Sequence, residues 1–171
     1  MSRSATKVYL SLGSNIGDSR EYIEEMVVKL TEVLTAVRTS PIYETDPIGV
    51  DNNHTPYSNC IVEGEYYKSA ESLLEYTEQT EIALGRTHKG ELTPRTADID
   101  ILLFGDEVIE SASLTVPHHA LLDRYFHVRG LLTLNPTLQI PMCDTPLADI
   151  LLPLEVRSQR VQILQEVSQC K

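Results

Sequence analysis

Apolar residues alternate with polar ones in some stretches of the chain and recur every three or four positions in others, and this change of period divides the sequence into elements. Val8-Tyr9-Leu10-Ser11-Leu12 predicts a first strand, and Gly13-Ser14-Asn15-Ile16-Gly17-Asp18 the turn that follows it. From Ser19 the pattern is helical. Ile23, Met26, Val27, Leu30, Val33 and Leu34 form one stripe, while Glu21, Glu24, Glu25, Lys29 and Glu32 face water. Val37 to Tyr43 predicts a second strand, ended by Thr45-Asp46-Pro47-Ile48-Gly49, and the polar stretch from Val50 to Pro56 predicts a loop. A third strand is expected from about Tyr57 to Tyr67. Ser69 opens a second helix with Glu71 and Ser72 in its first turn, where capping favours them, and Gly85 ends it. Its apolar face is Leu73, Leu74, Thr77 and Leu84. Glu81 projects close to that face, where a carboxylate is out of place, so it either pairs with a nearby arginine or faces a ligand cavity.

Ile99 to Phe104 is the most apolar strand. Gly105-Asp106 is a two-residue hairpin signal, and Val108-Ile109 resume on its far side, so this strand is expected to be central and buried on both faces. Leu114 to His119 reads as extended, Ala120 to Arg124 as a short helix, and Val128 to Leu134 as a helix broken by Asn135-Pro136. Pro141 to Pro153 is loop-rich with a short turn of helix, and Val156 to Cys170, with Val161, Ile163, Leu164 and Val167, reads as packing material. Strand, helix, strand, strand, helix, strand is the split β-α-β order of a ferredoxin-like sheet with helices on one face. The expected fold class is therefore α+β: a ferredoxin-like β-α-β-β-α-β sheet with helices packed on it and a C-terminal extension. The 171 residues fit one domain spanning 1–171.

The net charge of −11 argues against a general binder of nucleic acid or anionic membrane, so a phosphate site would have to be locally basic or bridged by metal. Cys60, Cys143 and Cys170 are an odd number at wide spacing, which indicates neither a disulfide framework nor a zinc site. No apolar run reaches 18 residues, and a reducing, cytoplasmic location is expected.

Chemistry concentrates around Pro94-Arg95-Thr96-Ala97-Asp98-Ile99-Asp100. On a strand Asp98 and Asp100 point the same way, about 7 Å apart along the backbone. Two such carboxylates repel each other and are costly to desolvate, so positive charge must balance them. Arg95 supplies one charge, and hard divalent ions, Mg²⁺ first, bind through one or two carboxylates plus substrate phosphates. The plainer alternative is that Asp98 caps the strand and Asp100 pairs with an arginine. The loop from Arg86 to Arg95 is basic, with Arg86, His88, Lys89 and Arg95, in an otherwise acidic chain; such a loop suits a polyphosphate, although a solvated surface loop needs no explanation. Asn59 offers donors and an acceptor to a heteroaromatic edge, or bonds its own loop. Thr115, His118, His119, Arg124 and Phe126 gather polar and aromatic groups, but adjacent histidines on an extended chain seldom chelate one ion.

These pieces, in this order and spacing, resemble the 6-hydroxymethyl-7,8-dihydropterin pyrophosphokinase family of folate biosynthesis from the first strand to about Pro136. The resemblance lies in Tyr9-Leu10-Ser11-Leu12-Gly13-Ser14-Asn15, Ser40-Pro41-Ile42-Tyr43-Glu44-Thr45-Asp46-Pro47-Ile48-Gly49, Tyr57-Ser58-Asn59, Gly85-Arg86, Pro94 to Ile101, and Leu114-Thr115-Val116-Pro117-His118. It implies transfer of the β,γ-diphosphate of ATP to the pterin's hydroxymethyl oxygen, with release of AMP. By the same resemblance Asp98 and Asp100 hold two Mg²⁺ ions, and Arg86 and Arg95 bind phosphate oxygens and the developing charge. Thr45, Pro47, Ile48, Tyr57, Asn59 and Phe126 match the pterin positions; Glu78, Glu81, Ile101, Thr115, His118 and Arg124 match the ATP side. The implied partners are small molecules, ATP and the hydroxymethyl-dihydropterin, with no nucleic acid or membrane and the chain acting as a monomer. Family members usually carry Arg-Trp-Gly-Pro-Arg where this chain has Glu91-Leu92-Thr93-Pro94-Arg95, and the chain has no tryptophan. Two readings follow: an active diphosphotransferase, or a relative that binds pterin or nucleotide with weak or no transfer. A metal-dependent nuclease using the same Asp pair is disfavoured by the acidic charge.

Overall fold

A computed structural model describes residues 4–46, 55–86, 96–151 and 161–165. In chain order the elements are β1 (Thr6–Ser14), α1 (Ser19–Leu30), β2 (Thr35–Thr39), β3 (Ile42–Thr45), β4 (Tyr57–Tyr66), α2 (Ala70–Ala83), β5 (Asp98–Phe104), β6 (Ile109–Glu110), β7 (Thr115–Val116), α3 (Tyr125–Leu134) and β8 (Val161–Gln165). Asp18 caps α1 by accepting from the Glu21 amide, and Ser69 caps α2 by accepting from the Ser72 amide, so both helices begin where the sequence places them. α1 ends at Leu30, short of the full apolar stripe, yet Leu34 in the following turn is still buried.

The main sheet runs β5-β1-β4-β3-β8, with β2 also paired to β4. All its pairings are antiparallel. Each β-α-β unit leaves a gap of one strand that the other fills: β4 lies between β1 and β3, and β1 lies between β4 and β5. This is the expected ferredoxin-like α+β arrangement.

Five expectations are corrected here. The run from Val37 to Tyr43 is two strands, because Pro41 has no N–H to give the ladder. Ser40 bridges the break: its amide donates to Ile61 O at 2.8 Å and its hydroxyl accepts from Ile61 N at 2.9 Å. β5 is at the end of the sheet order, not at its centre, and its outer edge is covered by the segment after β7, where His118 N donates to Leu102 O at 3.0 Å. The turn at Gly105-Asp106 is real, closed by Glu107 N to Phe104 O, but β6 returns to pair with β7 in a separate two-stranded sheet. Ala120 to Arg124 forms turns, not a helix, and part of the C-terminal segment read as packing is β8, paired with β3.

Helices cover both faces of the sheet, where the split pattern predicts one. On one face Val8, Leu10, Leu12, Ile99 and Ile101 pack with Ile23, Met26 and Leu30 of α1 and Leu73 of α2. On the other, Tyr9, Ile61, Leu102 and Leu103 pack with Val128, Leu131 and Leu134 of α3. Two covered faces explain why β5 ends in the continuous apolar run Ile101-Leu102-Leu103-Phe104. The register of β5 on β1 jumps between Tyr9↔Leu103 and Leu10↔Ile101, so Leu102 is an extra residue and both Leu102 and Leu103 face α3. Among the described residues no helix is long and apolar enough to cross a membrane.

Candidate active site

The candidate site lies on the α3 face at the end of the sheet where β1 finishes. Gly13 of β1 stands opposite Asn59 of β4 and Asp98 of β5, so these three form one row, and Ser11 stands opposite Asp100 in the next. Cross-strand neighbours share a face, and alternation along β5 puts Asp98 and Asp100 on it together. Their side chains are 23% and 31% exposed, buried enough to be shaped and open enough to be reached.

Arg86 follows the end of α2, where Gly85 takes a positive φ of 90°. Its Nη1 is 2.7 Å from Asp98 Oδ1 and 2.7 Å from Glu81 Oε1, and its side chain is 5% exposed. Of the two explanations for Glu81, the arginine partner is the one found. The same Glu81 oxygen accepts from Ile99 N at 2.6 Å, so a buried carboxylate ties the end of α2 to the start of β5 from behind Asp98.

His118 reaches the row from the segment after β7. Its Nδ1 accepts from Ala120 N at 3.2 Å, so the neutral ring carries its proton on Nε2, which lies 3.9 Å from Asp100 Oδ2. Burial, reinforced by His119 and Arg124, pushes its pKa down to about 4, so at neutral pH it is an N–H donor beside Asp100 and not the cation of an ion pair. The His119 ring stacks on it with centroids 4.3 Å apart.

His127 was not singled out in the sequence, where it is one imidazole within the apolar run Tyr125-Phe126-His127-Val128. It is fully buried; Nδ1 donates to Ala120 O at 3.2 Å and Nε2 accepts from Ser11 Oγ at 3.1 Å. Ser11 is the cross-strand neighbour of Asp100, so His127 joins α3, the 118–121 turn and the site row. Burial, then the Arg124 charge, pushes its pKa down to about 3. Unfolded, this histidine titrates near 6.5. The unfolded chain therefore binds the proton first as pH falls, and His127 removes stability between about pH 6.5 and about pH 3 and none above that window. From pH 6.5 to 5 the expected loss is about 2 kcal/mol, at ~1.4 kcal/mol per unit. Urea unfolding at pH 7.5, 6.5 and 5 measures it, and a His127→Gln variant with the same pH slope would assign the loss to other groups.

Other expected site residues fall as follows. Thr45 stands opposite Tyr57 in the β3–β4 ladder, and Asn59 Nδ2 donates to Thr45 Oγ1 at 2.8 Å, which brings three pterin positions together. Phe126, in the first turn of α3, packs edge-on against His127 with centroids 4.4 Å apart. Arg124 is the half-buried residue before α3, and Glu78 is half-buried on α2, three residues before Glu81. Thr115 is exposed in the small sheet, and the Ile101 side chain packs in the opposite core with α1 and α2. Arg95, Pro47 and Ile48 lie outside the described residues. Gly13, read in the sequence as turn punctuation, proves to be the floor between Asn59 and Asp98.

Among the described residues no group of three or more His, Cys, Asp or Glu side chains could hold a metal ion. Two half-open carboxylates fit a hard divalent ion that takes its remaining oxygens from phosphate and water, and do not fit zinc, which needs three or four protein ligands.

The sequence model of the family 7,8-dihydro-6-hydroxymethylpterin-pyrophosphokinase (HPPK) matches residues 9–136, from β1 to just past α3. The chain belongs to this family. It is similar to the 2-amino-4-hydroxy-6-hydroxymethyldihydropteridine pyrophosphokinase of Bacillus subtilis, 43% identical over 120 residues that cover 69% of this chain and 71% of that one. The Aquifex aeolicus protein of the same name is 37% identical over 142 residues, 83% of this chain and 88% of that one. In fold the HPPK chain resembles Plasmodium falciparum HPPK-DHPS, solved with pteroate, at a TM-score of 0.75 and 14% identity, covering 92% of this chain and 46% of that one.

Proposed function

We propose that the chain performs its family's reaction, ATP-dependent transfer of diphosphate to 6-hydroxymethyl-7,8-dihydropterin in folate biosynthesis, at the row formed by Asn59, Gly13, Asp98 and Asp100. The substrates are small molecules, and catalysis uses Mg–ATP. The observation that supports these residue roles is the pair of half-open carboxylates on one face of β5, with Arg86 bonded to Asp98 from behind. Asp98 and Asp100 hold Mg²⁺, two ions in this reading, which when bound neutralise charge on the triphosphate.

The hydroxymethyl oxygen attacks the β-phosphorus and gives up its proton to solvent, the bond from that phosphorus to the α–β bridging oxygen breaks, and AMP leaves. Phosphoryl transfer gives a protein little covalent work, so positioning and charge carry the catalysis. Arg95 binds phosphate oxygens together with Arg86, which also keeps Asp98 in place. His118, neutral with its proton on Nε2, donates to a phosphate oxygen beside Asp100. Thr45, Pro47, Ile48, Tyr57, Asn59 and Phe126 enclose the pterin; Glu78, Thr115 and Arg124 border the nucleotide, Ile101 does so through its backbone alone because its side chain lies in the opposite core, and Glu81 acts through Arg86.

The experiment is AMP formation from ATP. The expected result is AMP only when Mg²⁺ and the hydroxymethyl-dihydropterin are both present, and its loss on chelation of the metal. The chain's lack of tryptophan favours one other reading, a relative that binds without transfer. Tight binding of both ligands by calorimetry, with no AMP in a single-turnover assay, would establish that reading instead.

A further inference from the structure

A neutral imidazole has one nitrogen that donates and one that accepts, so a partner with a single role fixes which is which. The 118–121 turn supplies two such partners on one residue. Ala120 N can only donate, and it donates to His118 Nδ1 at 3.2 Å; Ala120 O can only accept, and it accepts from His127 Nδ1 at 3.2 Å. His118 is therefore the Nε2–H tautomer and His127 the Nδ1–H tautomer. The other nitrogen of His127 is left as an acceptor, and the Ser11 hydroxyl, which can play either role, takes the donor's part at 3.1 Å.

These contacts form a circuit. Ser11 of β1 bonds His127 of α3, His127 bonds the Ala120 carbonyl, and the Ala120 amide bonds the His118 ring. His118 Nε2 then stands 3.9 Å from Asp100 Oδ2, on the residue paired with Ser11 across the strands. That distance is too long for a hydrogen bond, so Asp100 does not take up the His118 N–H. The backbone of the turn has its own closures, Leu121 N to His118 O at 2.9 Å and Asp123 N to Ala120 O at 3.3 Å. Among the described residues, however, the hydrogen bond that orients the His118 ring is the one from the Ala120 amide. His127 is fully buried, and an apolar side chain of similar size would pack there without the loss of stability in acid that this imidazole brings. Its two hydrogen bonds are what an apolar residue could not supply.

We propose that His127 is a positioning residue: anchored by Ser11, it holds the Ala120 carbonyl, and through the Ala120 residue it keeps the His118 ring turned with its Nε2–H toward the phosphates beside Asp100. The proposal rests on the assignment of His118 to a phosphate oxygen in the proposed function. His127 itself touches no substrate. Without it the turn loosens, the His118 ring is free to rotate or to exchange tautomers, and a bare nitrogen then meets the phosphate oxygen, where two acceptors face each other with no proton between them.

The test reads tautomers and rates together. Nitrogen NMR spectra of the histidine side chains observe which ring nitrogen bears the proton. Free wild type is expected to show Nε2–H at His118 and Nδ1–H at His127. His127→Leu removes both bonds; it is expected to abolish the single-tautomer signature of His118 and to lower kcat/KM for MgATP by about tenfold or more. The KM for the pterin should stay within about twofold, because α3 and Phe126 remain seated. His127→Asn, whose amide N–H takes the place of Nδ1–H, is expected to restore the signature and to bring the rate back to within about threefold of wild type. In a His118→Ala background, adding His127→Leu should change the rate by no more than about twofold, since the ring it acts through is gone. Ser11→Ala, which releases the imidazole without touching the helix, serves if His127→Leu does not fold. An unaltered His118 signature and rate in His127→Leu would overturn the proposal, as would a loss that His127→Asn fails to restore or that appears in full in the His118→Ala background. Wild type that shows both tautomers yet forms no AMP would overturn the assigned reaction and leave the hold on His118 standing.

Discussion

Asp98→Ala is expected to lower AMP formation by about a thousandfold or more, ~4 kcal/mol of barrier, while costing about 1–2 kcal/mol of stability. The two effects separate because of how Asp98 is held. Its one carboxylate oxygen bonded to Arg86 is a charge-assisted bond, but Arg86 keeps Glu81 at 2.7 Å when Asp98 is gone, so no buried cation is left alone. The carboxylate itself is partly open and stands across Gly13 from Asn59, where the proposed function brings the acceptor alcohol and the phosphates together. Asp98→Asn keeps the shape and the Arg86 bond but removes the charge, and in this account it is nearly as inactive as the alanine variant. Quenched-flow measurement of AMP at saturating ATP and pterin reads the rate, and urea unfolding reads the stability. An Asp98→Ala rate equal to wild type would remove Asp98 from the chemistry.

That Asp98 and Asp100 share a face was legible from alternation alone, and the ordered motifs from Tyr9 to His118 spelled out the family. The misfit of Glu81 on an apolar helix face was legible too, and the arginine it implied is Arg86. The position of β5 was not. An apolar run on both faces says that a strand is covered, not that it has a neighbour on each edge; here α3 and the segment carrying His118 do the covering. Gly105-Asp106 signalled a turn without saying which strand would receive the chain after it. Pro41 was visible inside its run and marks the break between β2 and β3. β8 was hidden because Gln162, Ile163 and Leu164 are all exposed, so no alternation marks it. His127 was hidden because its partner Ser11 is 116 positions away.

Gly130→Ala is expected to destabilise the fold by about 2 kcal/mol, although alanine is the better helix former by ~1 kcal/mol and the overpacking term must exceed that gain. Gly130 is where α3 lies directly against Ile61 of β4. A Cβ there would lie 2.3 Å from Ile61 Cγ1, 3.0 Å from Ile61 Cβ and 3.5 Å from Ser40 Oγ. Ile61 cannot swing aside, being β-branched, fully buried, and held through its amide by Ser40 Oγ at 2.9 Å. The helix must therefore move outward, loosening Val128, Leu131 and Leu134 against the sheet. Ile61→Ala removes the nearest atom and is costly alone, about 2–5 kcal/mol. The double variant should be less unstable than the sum of the two by at least about 1 kcal/mol. Urea midpoints at constant m-value measure the cycle, and a Gly130→Ala protein as stable as wild type would show that α3 is not seated on Ile61 as described. Because α3 also carries Phe126, and His127 with its bond to Ser11 beside Asp100, the same displacement should raise the pterin KM more than it lowers kcat. The glycine thus links the packing of the α3 face to the row proposed to hold the substrate.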